Sequence, residues 1–169
     1  EKMMDHPEIS GLTFVGSTNV ARDLRAKGIQ VNKRVQAFGS GKNHLLVLPD
    51  ADIDMVADAA VSAGFGAAGQ RCMAVSVLVI VGDIADKLVH KITERIPEII
   101  VGSAHDKNVQ LGPVISAKSR DRIHSFIENA EENGAEIIVD GRQEYLDKGF
   151  TVGATVIDRV RPGMPIYDN

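Results

Sequence analysis

The chain has 169 residues, 44% of them hydrophobic and 25% charged, with a formal net charge of −4. That suits one ordinary globular domain, or a domain plus part of another, and the acidic balance argues against a nucleic-acid-binding surface as the main function. Tryptophan is absent, and a single cysteine, Cys72, forbids both an internal disulfide and a zinc site built on cysteines. A reducing compartment is therefore expected. No apolar run approaches membrane-spanning length and no signal peptide opens the chain. The expected location is cytoplasmic, with the mitochondrial matrix as its eukaryotic counterpart, and no membrane partner is expected. The first residue is Glu1, and the chain ends at Tyr167-Asp168-Asn169 just after an apparent strand. It reads as an internal fragment of something longer.

The first β-type run is Leu12-Thr13-Phe14-Val15. It passes through Gly16-Ser17-Thr18 into a helical pattern that runs to about Lys27, with Gly28 as the expected stop. Lys33–Phe38 is a second strand, so the first three elements read as a βαβ unit. Gly39-Ser40-Gly41 ends that strand, and Leu45–Leu48 is the next one. Pro49-Asp50-Ala51-Asp52 is a turn whose acidic residues suit the positive end of the following helix, Ile53–Phe65. Val75–Val81 is a continuous apolar run, as in a strand buried on both faces. In Asp83–Ile96, residues Ile84, Leu88, Ile92 and Ile96 fall on one helical face. Residues Gly102–Pro113 read as a surface loop, and Ser116–Asn133 as a helix buried through Ile123, Phe126, Ile127 and Ala130. Asn133-Gly134 ends it, Glu136–Val139 is a strand, Asp140-Gly141 a turn, and Phe150–Val160 a weakly alternating strand. Strand–helix alternation of this kind predicts an α/β fold with a mostly parallel sheet and flanking helices.

Cys72 follows a loop of small residues, Gly66-Ala67-Ala68-Gly69, and stands next to Arg71. Small residues let another molecule reach the sulfur, and a nearby cation favours the nucleophilic thiolate. The competing reading is a small buried hydrophobe. Gly16-Ser17-Thr18 carries a strand into a helix start, a place that suits a phosphate and equally suits simple capping by Ser17 or Thr18. Gly39-Ser40-Gly41-Lys42 is not a phosphate loop of the Walker type, because position 36 is Gln36 and Asn43 follows the lysine. His44, His90 and His105 lack metal-ligand spacing, so no metal is expected, and nothing specific supports a Cys72–His44 catalytic pair.

Three blocks in order, Phe14–Thr18, Gln36–His44 and Phe65–Cys72, resemble the aldehyde dehydrogenase superfamily. Leu111-Gly112-Pro113-Val114-Ile115 and Phe150–Thr155 are similar to two later family segments, with Ala154 where proline is usual. The resemblance implies that residues 1–43 end an NAD-binding domain and residues 44–169 form most of a catalytic α/β domain. It implies that Cys72 is the catalytic nucleophile, that its backbone N–H helps hold the oxyanion, and that Ser17 and Gly39 contact NAD.

One departure bears on the acyl acceptor. Hydrolytic members carry a glutamate four residues before the lysine; here that position, relative to Lys42, is Phe38. Water without a base is a poor nucleophile, whereas a thiol of pKa about 8.5 is already partly ionised near neutrality. Coenzyme A as acyl acceptor is thus expected. Lys42-Asn43-His44, Pro49-Asp50-Ala51 and Gly69–Ala74 resemble the CoA-acylating methylmalonate-semialdehyde dehydrogenase branch. There the arginine before the nucleophile, here Arg71, would bind the substrate carboxylate in a bidentate fork. The implied reaction converts malonate or methylmalonate semialdehyde, a small-molecule substrate, to acetyl- or propionyl-CoA with loss of CO₂. The family implies a homo-oligomer, tetramer or dimer. A hydrolytic enzyme of broader specificity and a catalytically incomplete fragment are the alternatives. The adenosine-binding strands, the oxyanion asparagine, a second carboxylate-binding arginine and an E-x-F-G-P segment are not in the sequence.

Overall fold

The computed structural model describes residues 2–142 and 149–168. The chain forms two compact units, Glu1–Lys42 and Asn43–Asn169.

The first unit contains α1 (Lys2–Asp5), β1 (Gly11–Val15), α2 (Thr18–Gln30) and β2 (Arg34–Phe38). The strands are parallel, in register from Gly11↔Arg34 to Val15↔Phe38, and α2 is the crossover between them. Gly28 does not stop α2. It is buried inside the helix, and a Cβ there would overlap the Val35 side chain. The glycine is needed for close packing of α2 on β2, and the chain turns at Asn32, whose φ is 53°. Asparagine is among the few residues that adopt this left-handed conformation readily.

The second unit begins with β3 (Asn43–Val47), α3 (Ile53–Phe65), β4 (Val75–Ile80) and α4 (Ala85–Arg95). Asp52 caps α3, its Oδ1 accepting from the Asp54 and Met55 N–H groups at 3.1 Å. β3 and β4 pair in parallel, with a register irregularity between Asn43 and His44. One face of this pair meets the helices: Val47, Ala57, Ala60, Leu88 and Ile92 form the buried cluster, with Leu45, Leu78 and Ile80 packed against it. The small side chains of α3 let the helices approach the sheet closely. Arg95 ties α4 to α3 through Asp54 and Asp58, and Lys91 also reaches Asp54. Hydrogen bonds from Arg95 and Lys91 hold the Asp54 carboxyl below its ordinary pKa.

The expectation that β4 is buried on both faces is not met. Val79 and Val81 are 41% and 42% exposed, and Leu46 on the neighbouring strand is 61% exposed. Helices α3 and α4 pack on the Leu45/Val47 side, so the alternate residues of both strands face outward.

The unit continues through α5 (Ala117–Glu132), β5 (Glu136–Val139), β6 (Val156–Asp158) and α6 (Pro165–Asp168). Ser116 caps α5 by accepting from the Ser119 N–H, and Gly134, φ 86°, ends its last turn. β5 and β6 are antiparallel, so among the described residues two of three strand pairs are parallel. The strand expected over Phe150–Val160 is confined to Val156–Asp158. The preceding Thr151–Ala154 are buried in extended coil, where Gly153 N–H bonds the Gly141 carbonyl and Gly141 N–H bonds Thr155 Oγ1. The described chain closes on the short helix α6, after the strand that the sequence placed nearest its end.

Arg142 forks onto Asp140, Nε to Oδ1 at 2.9 Å and Nη2 to Oδ2 at 2.6 Å. That fork lowers the Asp140 pKa from its ordinary 3.8. A carboxylate with a depressed folded-state pKa stabilises the fold above its unfolded-chain value, and the stabilisation is lost as pH falls through the folded value. Asp140→Asn is expected to cost about 1 kcal/mol near pH 6. Urea midpoints of variant and parent should converge as pH drops below 3.8; a constant gap from pH 6 downward would contradict this.

Candidate active site

Helix α3 ends at Phe65, and the next four residues, Gly66–Gly69, form a tight turn. Ala67, Ala68 and Gly69 all have positive φ, at 54°, 53° and 69°. For the two alanines this left-handed geometry costs about 1–2 kcal/mol each. Strain of this kind persists only where the surroundings hold it. The turn reverses the chain and delivers Gln70–Met73 to the start of β4.

A second turn follows. Ala74 N–H bonds the Arg71 carbonyl at 3.1 Å, leaving Cys72 and Met73 at its tip. Cys72 is exposed, not buried filler, and Met73 beside it is 78% exposed. Two side-chain amides hold this loop. Asn43 Nδ2 donates to the carbonyls of Cys72, at 2.8 Å, and Ala74, at 2.9 Å. Gln70 Nε2 donates to the Ala67 and Pro113 carbonyls, and its Oε1 accepts from Ile115 N–H at 3.1 Å. The second set fastens the Leu111–Ile115 segment, whose Leu111 and Val114 are buried, to the Cys72 loop.

Arg71 leaves the same loop in another direction. Its guanidinium lies over Gly66, where a Cβ would overlap it. It lines a cavity of about 420 Å³ together with Phe65, Arg95, Glu98 and Gln110. Cys72 does not line that cavity. The structure thus brings Arg71 and Cys72 together in sequence and loop, with their side chains in different spaces.

In the first unit, Ser17 occupies the N-cap position of α2 but its side chain makes no capping hydrogen bond. The Thr18 hydroxyl accepts from Ser40 N–H at 3.1 Å, so neither hydroxyl caps α2 in the way the simple reading supposes. Gly39 lies directly against Thr18: an added Cβ would stand 2.7 Å from Thr18 Oγ1. Ser17 and Gly39 are therefore brought to one place, the N-terminus of a 13-residue helix. Phe38, the last residue of β2, is half exposed. His90 is on the solvent face of α4, beside Glu94. Among the described residues no group of three His, Cys, Asp or Glu side chains is arranged to hold a metal ion.

Sequence reasoning missed Asn43 and Gln70 as loop-holding residues. The available signal was an amide at each point where a small-residue segment meets a strand or a turn.

An α/β chain with an exposed cysteine on the turn that follows a strained glycine–alanine turn, and with a βαβ unit whose helix lacks a side-chain cap, can be set beside known proteins. The sequence profile of the aldehyde dehydrogenase family matches residues 1–169, and the chain belongs to that family. It is 43% identical over 167 residues to malonate-semialdehyde dehydrogenase 3 of Geobacillus kaustophilus, covering 98% of this chain and 34% of that protein. It is 38% identical to the malonate-semialdehyde dehydrogenase of Pseudomonas aeruginosa, with the same coverage of each. Among solved structures, methylmalonate-semialdehyde dehydrogenase from Oceanimonas doudoroffii superposes with a TM-score of 0.95 at 40% identity, over 99% of this chain and 35% of that one. The chain therefore spans about a third of the length of the relatives it matches. Among the described residues no helix is long and apolar enough to cross a membrane.

Proposed function

We propose that this chain carries the nucleophile of an NAD-dependent, CoA-acylating semialdehyde dehydrogenase that acts on malonate or methylmalonate semialdehyde. The observation that carries the reading is the exposed Cys72 at the tip of a turn held from both sides. The names of the relatives support the substrate class.

Residues 1–43 are assigned to the end of the NAD-binding domain and residues 44–169 to the catalytic domain. Ser17 and Gly39 suit the cofactor: the start of α2 has no side-chain cap, and the loop over it is closed to anything larger than glycine. Free N–H groups at a helix start favour a pyrophosphate. Held there, NAD would supply the hydride acceptor. The Cys72 thiolate attacks the aldehyde carbon, and the Cys72 N–H stabilises the resulting oxyanion. Loss of hydride leaves a thioester on Sγ. Arg71 is an exposed residue, and we assign its guanidinium, once turned from its place over Gly66, to the substrate carboxylate. Decarboxylation releases that carboxylate as CO₂: the C–C electron pair passes into the thioester as an enolate, which takes a proton from water at the α-carbon.

The thioester then needs an acceptor. No aspartate or glutamate occurs between Arg34 and Pro49, or between Ala59 and Gly82. Phe38 cannot take a proton from water. A CoA thiolate attacks the thioester carbonyl, Cys72 leaves as thiolate, and acyl-CoA departs. With the intact protein, omitting CoA is expected to lower NADH formation at least about 100-fold, a general-base-sized loss. Equal NADH formation without CoA, yielding free acid, would overturn this assignment in favour of the hydrolytic one.

A further inference from the structure

Beyond the nucleophile itself, the loop that bears it depends on two side chains that take no part in the chemistry. We infer that Asn43 and Gln70 are positioning residues that fix the direction of the Cys72 N–H and thiol; the inference rests on Cys72 being the nucleophile.

The β3–β4 ladder ends at Asn43↔Val75. At this end of the ladder, where the register is irregular between Asn43 and His44, a side chain reaches the carbonyls of Ala74 and Cys72. That side chain is Asn43, the first residue of β3. Its amide has two donor hydrogens, and each goes to one of those carbonyls. The effect passes to the Cys72 N–H through peptide geometry. N–H and C=O of one trans peptide point in opposite directions. The Arg71 carbonyl is held by Ala74 N–H, so the Cys72 N–H is held pointing away from the turn. Ala74 in turn is held through its carbonyl by Asn43.

Gln70 acts from the other side. It ties the carbonyl of strained Ala67 and the Pro113–Ile115 segment to the residue two before Cys72. The Gln70 backbone N–H also bonds the Ala67 carbonyl, so what the side chain alone supplies is the link from this turn to Pro113 and Ile115. An oxyanion donor is effective because it needs no reorganisation when charge develops; a loop free to rock loses that advantage without losing substrate binding.

The test uses Asn43→Ala and Gln70→Ala in the intact protein, with Cys72→Ser alongside. Three readouts are taken: kcat and KM for NADH formation, the rate of Cys72 alkylation by iodoacetamide, and thermal unfolding. Alkylation needs only an accessible thiolate and forms no oxyanion, so it separates positioning from general damage. Each alanine variant is expected to lower kcat about 10- to 100-fold, with KM within about threefold and alkylation within about twofold of the parent. Gln70 is exposed, so its substitution leaves no core cavity, and it decides the matter alone if Asn43→Ala fails to fold. A Gln70→Ala kcat within about twofold of the parent overturns the inference. So does a kcat loss matched by an equal change in alkylation. Retained turnover in Cys72→Ser is a different result, one that removes the nucleophile assignment.

Discussion

Cys72→Ser is expected to lower NADH formation from malonate semialdehyde by about 10⁴-fold or more, the scale seen when a covalent nucleophile is removed. The exchange is close to isosteric, and the side chain is exposed, so no packing is lost. The hydrogen bonds that hold the turn use the Cys72 backbone carbonyl, not its sulfur, so the loop keeps its shape. What changes is acidity: a hydroxyl is scarcely ionised at neutral pH, and no carboxylate in the flanking sequence from Ala59 to Gly82 is there to activate it. The unfolding temperature should stay within about 1 °C, as for other exposed substitutions. Turnover within tenfold of the parent would sink the assignment of Cys72.

The largest structural effect is expected at Gly141. Its φ is not in the left-handed region, so an alanine there is not strained by its own backbone. The obstacle is contact. A Cβ would overlap the carbonyl of Gly153 and stand 2.8 Å from the carbonyl oxygen of Ala154. Both are backbone atoms, and Thr151–Ala154 are buried, so nothing can swing aside as a side chain would. The same crossing is closed by the Gly153 N–H bond to the Gly141 carbonyl. Gly141→Ala should destabilise the chain by about 3 kcal/mol or more, lowering the unfolding temperature by roughly 10 °C. Gly112→Ala is the matched comparison, because nothing lies within 4 Å of a Cβ there, and it should shift stability by less than about 0.5 kcal/mol. Circular dichroism melts of the two variants decide it: equal melting temperatures would mean the crossing is looser than its geometry implies.

Much of the fold was legible in the sequence where one local pattern sufficed. Helix α3 spans Ile53–Phe65 as its alanine-rich run and acidic cap indicate, and Leu88 and Ile92 are buried as their spacing requires. Patterns that depend on a neighbour were harder to read. Gly28 looks like a helix stop until the Val35 methyl packed on it is seen. The apolar run of β4 looks like a strand covered twice, yet helices cover only one face in this chain. At the site, Cys72 stood out because small residues precede it, and the family resemblance supplied the rest. Asn43 and Gln70 did not stand out. Their bonds reach backbone atoms 29 to 45 residues away, and such distant side-chain-to-backbone links leave no periodicity behind.

Ala67 and Ala68 have a consequence in conformational entropy. Glycine would enter the left-handed region at no steric cost, but it would also wander over a wide range of backbone angles on both sides of zero φ. Alanine has only a small left-handed basin, and these two residues sit in it at nearly the same angles. Once the rest of the loop has forced them there, few neighbouring states remain to explore. Two alanines rather than two glycines thus exchange some stability for narrowness, and the thiol on the next turn inherits a restricted set of positions rather than a cloud of them.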